Sequence, residues 1–83
     1  MKNYRAELKY ISNDDYELPS SLLEFELSAT GMDDSIKRTA SRLSNKMLCK
    51  DDYEIVDYSD DYAEISFGDS HTGQDVCYSI TEI

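Results

Sequence analysis

Carboxylates dominate the chemistry this sequence offers, with eighteen aspartates and glutamates against eight lysines and arginines and a formal net charge of −10 over 83 residues. Pairs such as Glu24 and Glu26 have the side chains for acid–base work, but a chain this rich in acids produces such pairs by composition alone. Asp69-Ser70-His71 carries the letters of a catalytic triad. Neighbours on one loop cannot form the hydrogen-bonded relay a triad needs, and no oxyanion-hole motif accompanies them. Asp14, Asp15 and Glu17 fail the spacing of a calcium loop and lack its glycine. Cys49 and Cys77 have no CxxC spacing, and His71 stands alone, so two half-buried thiols in a reducing compartment are expected rather than a zinc site or a disulfide. There is no P-loop and no GxGxxG. These residues imply no enzyme, no metal and no cofactor.

The distribution of charge is more informative than its total. Residues 1–36 hold eight acids and three bases, residues 37–50 hold five bases and no acid, and residues 51–83 hold ten acids with no lysine or arginine. A C-terminal third without its own cations repels itself when folded. Within it a short unit recurs: Asp51-Asp52-Tyr53-Glu54 and Asp60-Asp61-Tyr62-Ala63-Glu64 repeat the pattern of Asp14-Asp15-Tyr16-Glu17. One reading is local, since Asp-Asp suits turns and Tyr suits the opening of a strand. The other is functional. Carboxylates at i and i+2 of a strand lie about 6.5 to 7 Å apart, a row of negative charge on the scale of a nucleic-acid backbone with its axial rise of about 3.4 Å per strand phosphate. Tyrosines beside them supply rigid contact area for an interface. The candidate partner-binding set is therefore Asp51, Asp52, Glu54, Asp57, Asp60, Asp61 and Glu64, with Tyr53, Tyr58 and Tyr62 as anchors.

Periodicity supplies the elements that must position these residues. Tyr4 to Tyr10 alternates apolar and charged residues, placing Tyr4, Ala6, Leu8 and Tyr10 on one face of a strand. A polar loop with the sole proline follows, and alternation resumes with Leu23, Phe25, Leu27 and Ala29. The period then changes to that of a helix, with Asp33 or Asp34 as N-cap and Ile36, Ala40, Leu43 and Met47 as the apolar stripe to about Leu48. Its polar side carries Lys37, Arg38, Arg42, Lys46 and Lys50. Three further strands are expected over Tyr53 to Tyr58, Tyr62 to Phe67 and Asp75 to about Thr81, joined by a tight Ser59-Asp60-Asp61 turn and a longer loop over residues 68–74.

The result is an α+β fold of order β-β-α-β-β-β, an antiparallel sheet with one helix on one face, in a single domain over residues 1–83. Strand orders 2-1-5-4-3 and 2-1-3-4-5 both keep neighbours antiparallel. The helix stripe should pack on Leu8, Phe25, Leu27, Ile65, Phe67, Val76 and Ile80. The other face is left open, showing Glu7, Glu24, Glu26 and Glu64 flanked by Arg5 and Lys9.

A 40% hydrophobic fraction with 11% aromatics places the chain outside the disordered class. Its acidity opposes direct contact with DNA, RNA or an anionic membrane. Lys2 and Arg5 near the start are followed by no apolar stretch of a secretory signal, so a cytoplasmic protein is expected.

In length, in its two strands before one Asp33-to-Leu48 helix, in the three strands that follow and in the acidic Asp51-to-Glu82 segment, the chain resembles the small acidic proteins that bacteriophages use against host defence, anti-CRISPR proteins among them. The likeness carries no diagnostic motif. It implies an inhibitor that blocks a nucleic-acid-handling complex by occupying its Lys/Arg-lined surface. The partner expected is a basic nucleic-acid-binding protein or ribonucleoprotein complex. An immunity protein or antitoxin against a basic nuclease toxin fits the same charge, and a homodimeric assembly protein is the reading from a different class.

Overall fold

The computed structural model describes residues 1–11, 19–47, 53–68 and 75–83, with the side chains of 45–47 excepted. Met47 at the end of the helical stripe, the Lys46 and Lys50 side chains, the Asp14-Asp15-Glu17 and Asp69-Ser70-His71 segments, Cys49, Asp51 and Asp52 therefore lie wholly or by their side chains outside the described residues. Five strands form one antiparallel sheet: β1 (Lys2–Ile11), β2 (Glu24–Ala29), β3 (Tyr53–Tyr58), β4 (Tyr62–Gly68) and β5 (Asp75–Glu82), with helix α1 (Met32–Met47) between β2 and β3. The strand order is β2-β1-β5-β4-β3, the first of the two orders that periodicity allows. The reason lies in burial. β5 buries Val76, Tyr78, Ser79 and Ile80 and takes the centre, whereas β3 carries Glu54 and Asp57 and stays at an edge. β2 and β3 consequently run parallel at opposite edges, a relation that requires a long crossover, and α1 supplies it across one face of the sheet.

The helix begins one residue earlier than expected. Ser35 N–H bonds the Gly31 carbonyl at 3.0 Å, closing the first turn. Asp33 and Asp34 therefore sit inside that turn rather than at the cap, where carboxylates favour the positive end of the helix. Asp34 Oδ2 reaches back to accept the Thr30 N–H at 3.0 Å and also accepts from Arg38 Nε at 2.9 Å. These two donors, the Thr30 amide foremost, hold the Asp34 carboxyl below its ordinary value.

Ile36, Ala40 and Leu43 are buried as the stripe requires, with Met32 extending it. They meet Tyr4, Ala6, Phe25, Ala29, Ala63, Ile65, Phe67, Val76, Tyr78 and Ile80, with Leu8 and Leu27 half-buried at the margin. Four aromatic rings run across the sheet in this layer. Phe25 and Tyr78 stand 6.1 Å apart, Phe67 and Tyr78 5.9 Å, and Tyr53 and Phe67 5.7 Å, each pair contributing about 0.5 to 1.5 kcal/mol beyond its buried area. The Tyr78 hydroxyl donates to the Leu22 carbonyl at 2.6 Å, tying the short 3-10 turn Ser20–Leu22 to the central strand. The Tyr4 hydroxyl is buried with no hydrogen-bond partner among the described residues.

Two residues leave the expected core. Leu23 is exposed because the turn before β2 buries Leu22 instead, and its carbonyl accepts the Leu8 N–H at 2.8 Å. Tyr10 is 61% exposed because β1 bulges: Leu8 pairs with Tyr78 but Tyr10 pairs with Cys77, so Lys9 is an extra residue. One extra residue in a strand reverses the face of everything beyond it. Tyr10 moves to the open face, and Ile11, opposite Val76, takes its place beside the core.

Candidate functional site: an acidic row on the open sheet face

The face opposite α1 is built by the residues that alternate with the core positions. Cross-strand register sets them in rows perpendicular to the strands. In one row Glu24 pairs with Glu7, Glu7 with Ser79, Ser79 with Glu64 and Glu64 with Asp57, so that all five strands contribute and four of the five side chains are carboxylates. Neighbouring strands lie about 4.8 Å apart, giving the row a span of about 19 Å. Like charges directly opposite one another destabilise a sheet. Here they stand opposite at Glu7/Glu24 and again at Glu64/Asp57.

The two ends of the row differ in how that repulsion is relieved. Arg5 Nε lies 3.5 Å from Glu24 Oε1, and Lys9 Nζ lies 3.7 Å from Glu7 Oε2, both partly exposed pairs. On the β4–β3 side, no cation among the described residues pairs with Glu64, Asp57, Glu54, Asp60 or Asp61. Glu64 instead accepts a 2.6 Å hydrogen bond from the Tyr62 hydroxyl two residues before it on the same face. That bond favours the protonated phenol, and with partial burial and the Glu64 charge it pushes Tyr62 up to about 12. Burial, with Glu64 second, raises the Cys77 thiol, so this free cysteine on the same face is held away from its reactive thiolate.

The rows flanking the carboxylates are of mixed character. On one side Glu26, Arg5, Thr81 and Tyr62 align. On the other Tyr10, Cys77, Ser66 and Glu54 align, so tyrosines from two different strands border the acidic row.

The residues singled out from the sequence are divided by this geometry. Glu54, Asp57, Tyr62 and Glu64 share the open face. Asp60 and Asp61 project from the β3–β4 turn, which is closed by a 2.7 Å bond from Ser59 N–H to the Tyr62 carbonyl and by Ser59 Oγ bonding Asp61 Oδ1. Tyr53 lies on the opposite face, half-buried against Phe67. Tyr58 also lies on that face and donates to Asp33 Oδ1 at 2.8 Å, a bond that raises its own pKa. Tyr53 and Tyr58 thus lie on the helix side of the sheet, away from the open-face acids, with Tyr58 still partly exposed. Glu7, Glu24 and Tyr10 join the row or its border from the other half of the sheet. The alternation of β1 and β2 marked both glutamates as open-face residues, but only the strand order brings them into line with Glu64. For Tyr10 the bulge left no signal in the sequence.

Arg38 and Arg42 of α1 lie on the helix side of the sheet. Arg38 is paired with Asp34, and the Arg42 guanidinium sits 4.5 Å above the Phe25 ring. These arginines and the acidic row therefore lie on opposite sides of one core. Among the described residues no group of histidine, cysteine and acid side chains is arranged to hold a metal, and no helix is long and apolar enough to cross a membrane. No family model, no curated protein and no solved structure matches this chain, so the site is read from its geometry.

Proposed function

We propose that this protein is a non-enzymatic inhibitor whose open sheet face docks on the basic nucleic-acid-binding surface of a host defence complex, in the manner of the anti-CRISPR and anti-restriction proteins it resembles. The observation that carries this reading is the row Glu24–Glu7–Ser79–Glu64–Asp57. Its carboxylates are held by the backbone ladder as two pairs on either side of Ser79 and face away from the helix. A fixed array loses little entropy on meeting a lysine- and arginine-lined groove, and complementary fields speed the encounter. The like-charge pairs it contains cost the free protein stability. A cationic partner relieves that cost.

The test is competition. CRISPR effector and restriction complexes, each bound to fluorescent DNA, are titrated with the protein and DNA release is followed by anisotropy. Release saturating at one-to-one stoichiometry and weakening with salt is expected from at least one class. Replacing Glu7, Glu24 and Glu64 by Gln and Asp57 by Asn should then weaken binding by at least about tenfold, since each desolvated charge lost costs about 2 to 5 kcal/mol. Undiminished binding by that variant, or inhibition that accumulates at strongly substoichiometric protein, sinks the proposal.

A further inference from the structure

The outer edge of β3 has features the acidic row does not explain. Of the large apolar residues left exposed, three fall in this one strand: Ile55 at 49%, Val56 at 60% and Tyr58 at 44%. They are exposed because α1 packs mainly on β2, β4 and β5, with the Tyr58 hydroxyl bonded to Asp33 at the helix start. The strand also bulges at Val56, between the pairs Ile55/Ile65 and Asp57/Glu64. Natural sheets protect an edge with charged side chains, proline, a bulge or a covering element, and here the bulge and the acids Glu54 and Asp57 give partial protection. β3, Tyr-Glu-Ile-Val-Asp-Tyr, has neither lysine nor proline.

The main chain adds a more specific detail. Successive N–H groups of an extended strand point to opposite sides. Ser59 N–H points inward, to the Tyr62 carbonyl of the β3–β4 turn, so the N–H of Tyr58 points to the free edge. There it is held at 2.9 Å by Asp57 Oδ1 of its own strand. A carboxylate thus occupies the position that a neighbouring strand's carbonyl would take.

We infer that β3 is a strand-addition site for an extended segment of a partner protein that alternates apolar residues with lysine or arginine. The incoming carbonyl replaces Asp57 Oδ1 on the Tyr58 amide, which frees the Asp57 carboxylate to pair with a cation of the added strand. Ile55, Val56 and Tyr58 supply apolar contacts, while Glu54, Asp57, Asp60 and Asp61 supply a border without a cation among the described residues. Charge decides against a second copy of this chain as the occupant. Antiparallel self-pairing of β3 sets this acidic border against itself between two molecules of net charge −10 each. The edge shares Asp57 with the acidic row, but its hydrogen-bonding groups and apolar residues belong to the strand edge and not to the open face.

The probe is a blocked six-residue peptide alternating lysine and valine, matched in length to β3, titrated into the 15N-labelled full chain and followed by NMR and amide exchange. Chemical-shift changes and new exchange protection centred on residues 53–58 are expected. Val56→Pro, tolerated at an edge bulge, should weaken binding by at least about tenfold, and so should Ile55→Thr, which keeps the strand. A peptide with glutamate in place of lysine should not bind. Shifts confined to Glu7, Glu24 and Glu64 would overturn the edge site while leaving the open-face proposal intact. Equal binding of the glutamate peptide, no binding of the lysine peptide, or a concentration-dependent dimer joined through β3 would each overturn it too.

Discussion

The Tyr62 hydroxyl and the Glu64 carboxylate form a 2.6 Å pair that couples an ordinary phenol to the acidic row. With the phenol pushed up to about 12, the folded state holds this proton more tightly than the unfolded chain, whose tyrosines titrate near pH 10. The stabilisation is therefore complete below about pH 10 and is lost as pH rises through about 12. Ultraviolet titration of the folded protein should show Tyr62 among the last of the seven tyrosines to ionise. Glu64→Gln should move that step back toward pH 10, and an unchanged alkaline titration in this variant removes the pair. Asp34 works in the opposite sense. Its carboxyl is lowered by the Thr30 amide and by Arg38, so its contribution is present above the ordinary carboxylate value and fades as pH falls through the lowered one. Spacing made Tyr62 and Glu64 legible as neighbours on one face, since i and i+2 share a side of any strand. The fate of Tyr53 and Tyr58 was not legible, because a tyrosine serves equally well as a core edge or as an exposed anchor.

Helix α1 earns its place through one stripe and not through helix propensity, since isolated helices of its length are marginal in water. Leu43 is fully buried in that stripe, in the same core as Phe67 and Tyr78. Leu43→Ala should cost about 2 to 5 kcal/mol by chemical denaturation, whereas Lys37→Ala on the exposed side should stay within about 0.5 kcal/mol. Equal midpoints for the two variants would take the stripe out of the core. The switch from period two to period 3.6 and back located every strand and the helix to within a few residues. Where it failed, an irregularity of the backbone was responsible. The extra Lys9 in β1 and the 3-10 turn before β2 each displaced a residue, Tyr10 and Leu23, that alternation had assigned to the core.

At the scale of the molecule the C-terminal third holds ten acids and no lysine or arginine, and the net charge of −10 works against compactness. Raising NaCl from about 0.01 M to about 0.15 M shortens the Debye length from about 30 Å to about 8 Å. The melting temperature should therefore rise over that range, and a flat or falling Tm would mean that the repulsion is already offset within the fold. The sequence by itself determined the type and order of the elements, the helix stripe and the acidity of the C-terminal strands, because each depends only on local period and composition. Only the tertiary structure decided which strands are neighbours. Orders 2-1-5-4-3 and 2-1-3-4-5 satisfy the same alternation, and the choice turns on the burial of Val76, Tyr78, Ser79 and Ile80 in β5 against the exposure of β3. That choice carries the functional geometry with it. Placing β5 between β1 and β4 aligns Glu7 and Glu24 with Glu64 and Asp57 through Ser79, and it leaves β3 at the edge with its apolar residues uncovered. Neither consequence can be read from spacing along the chain, because both depend on β1 pairing with β5, whose partners such as Glu7 and Ser79 lie far apart in sequence.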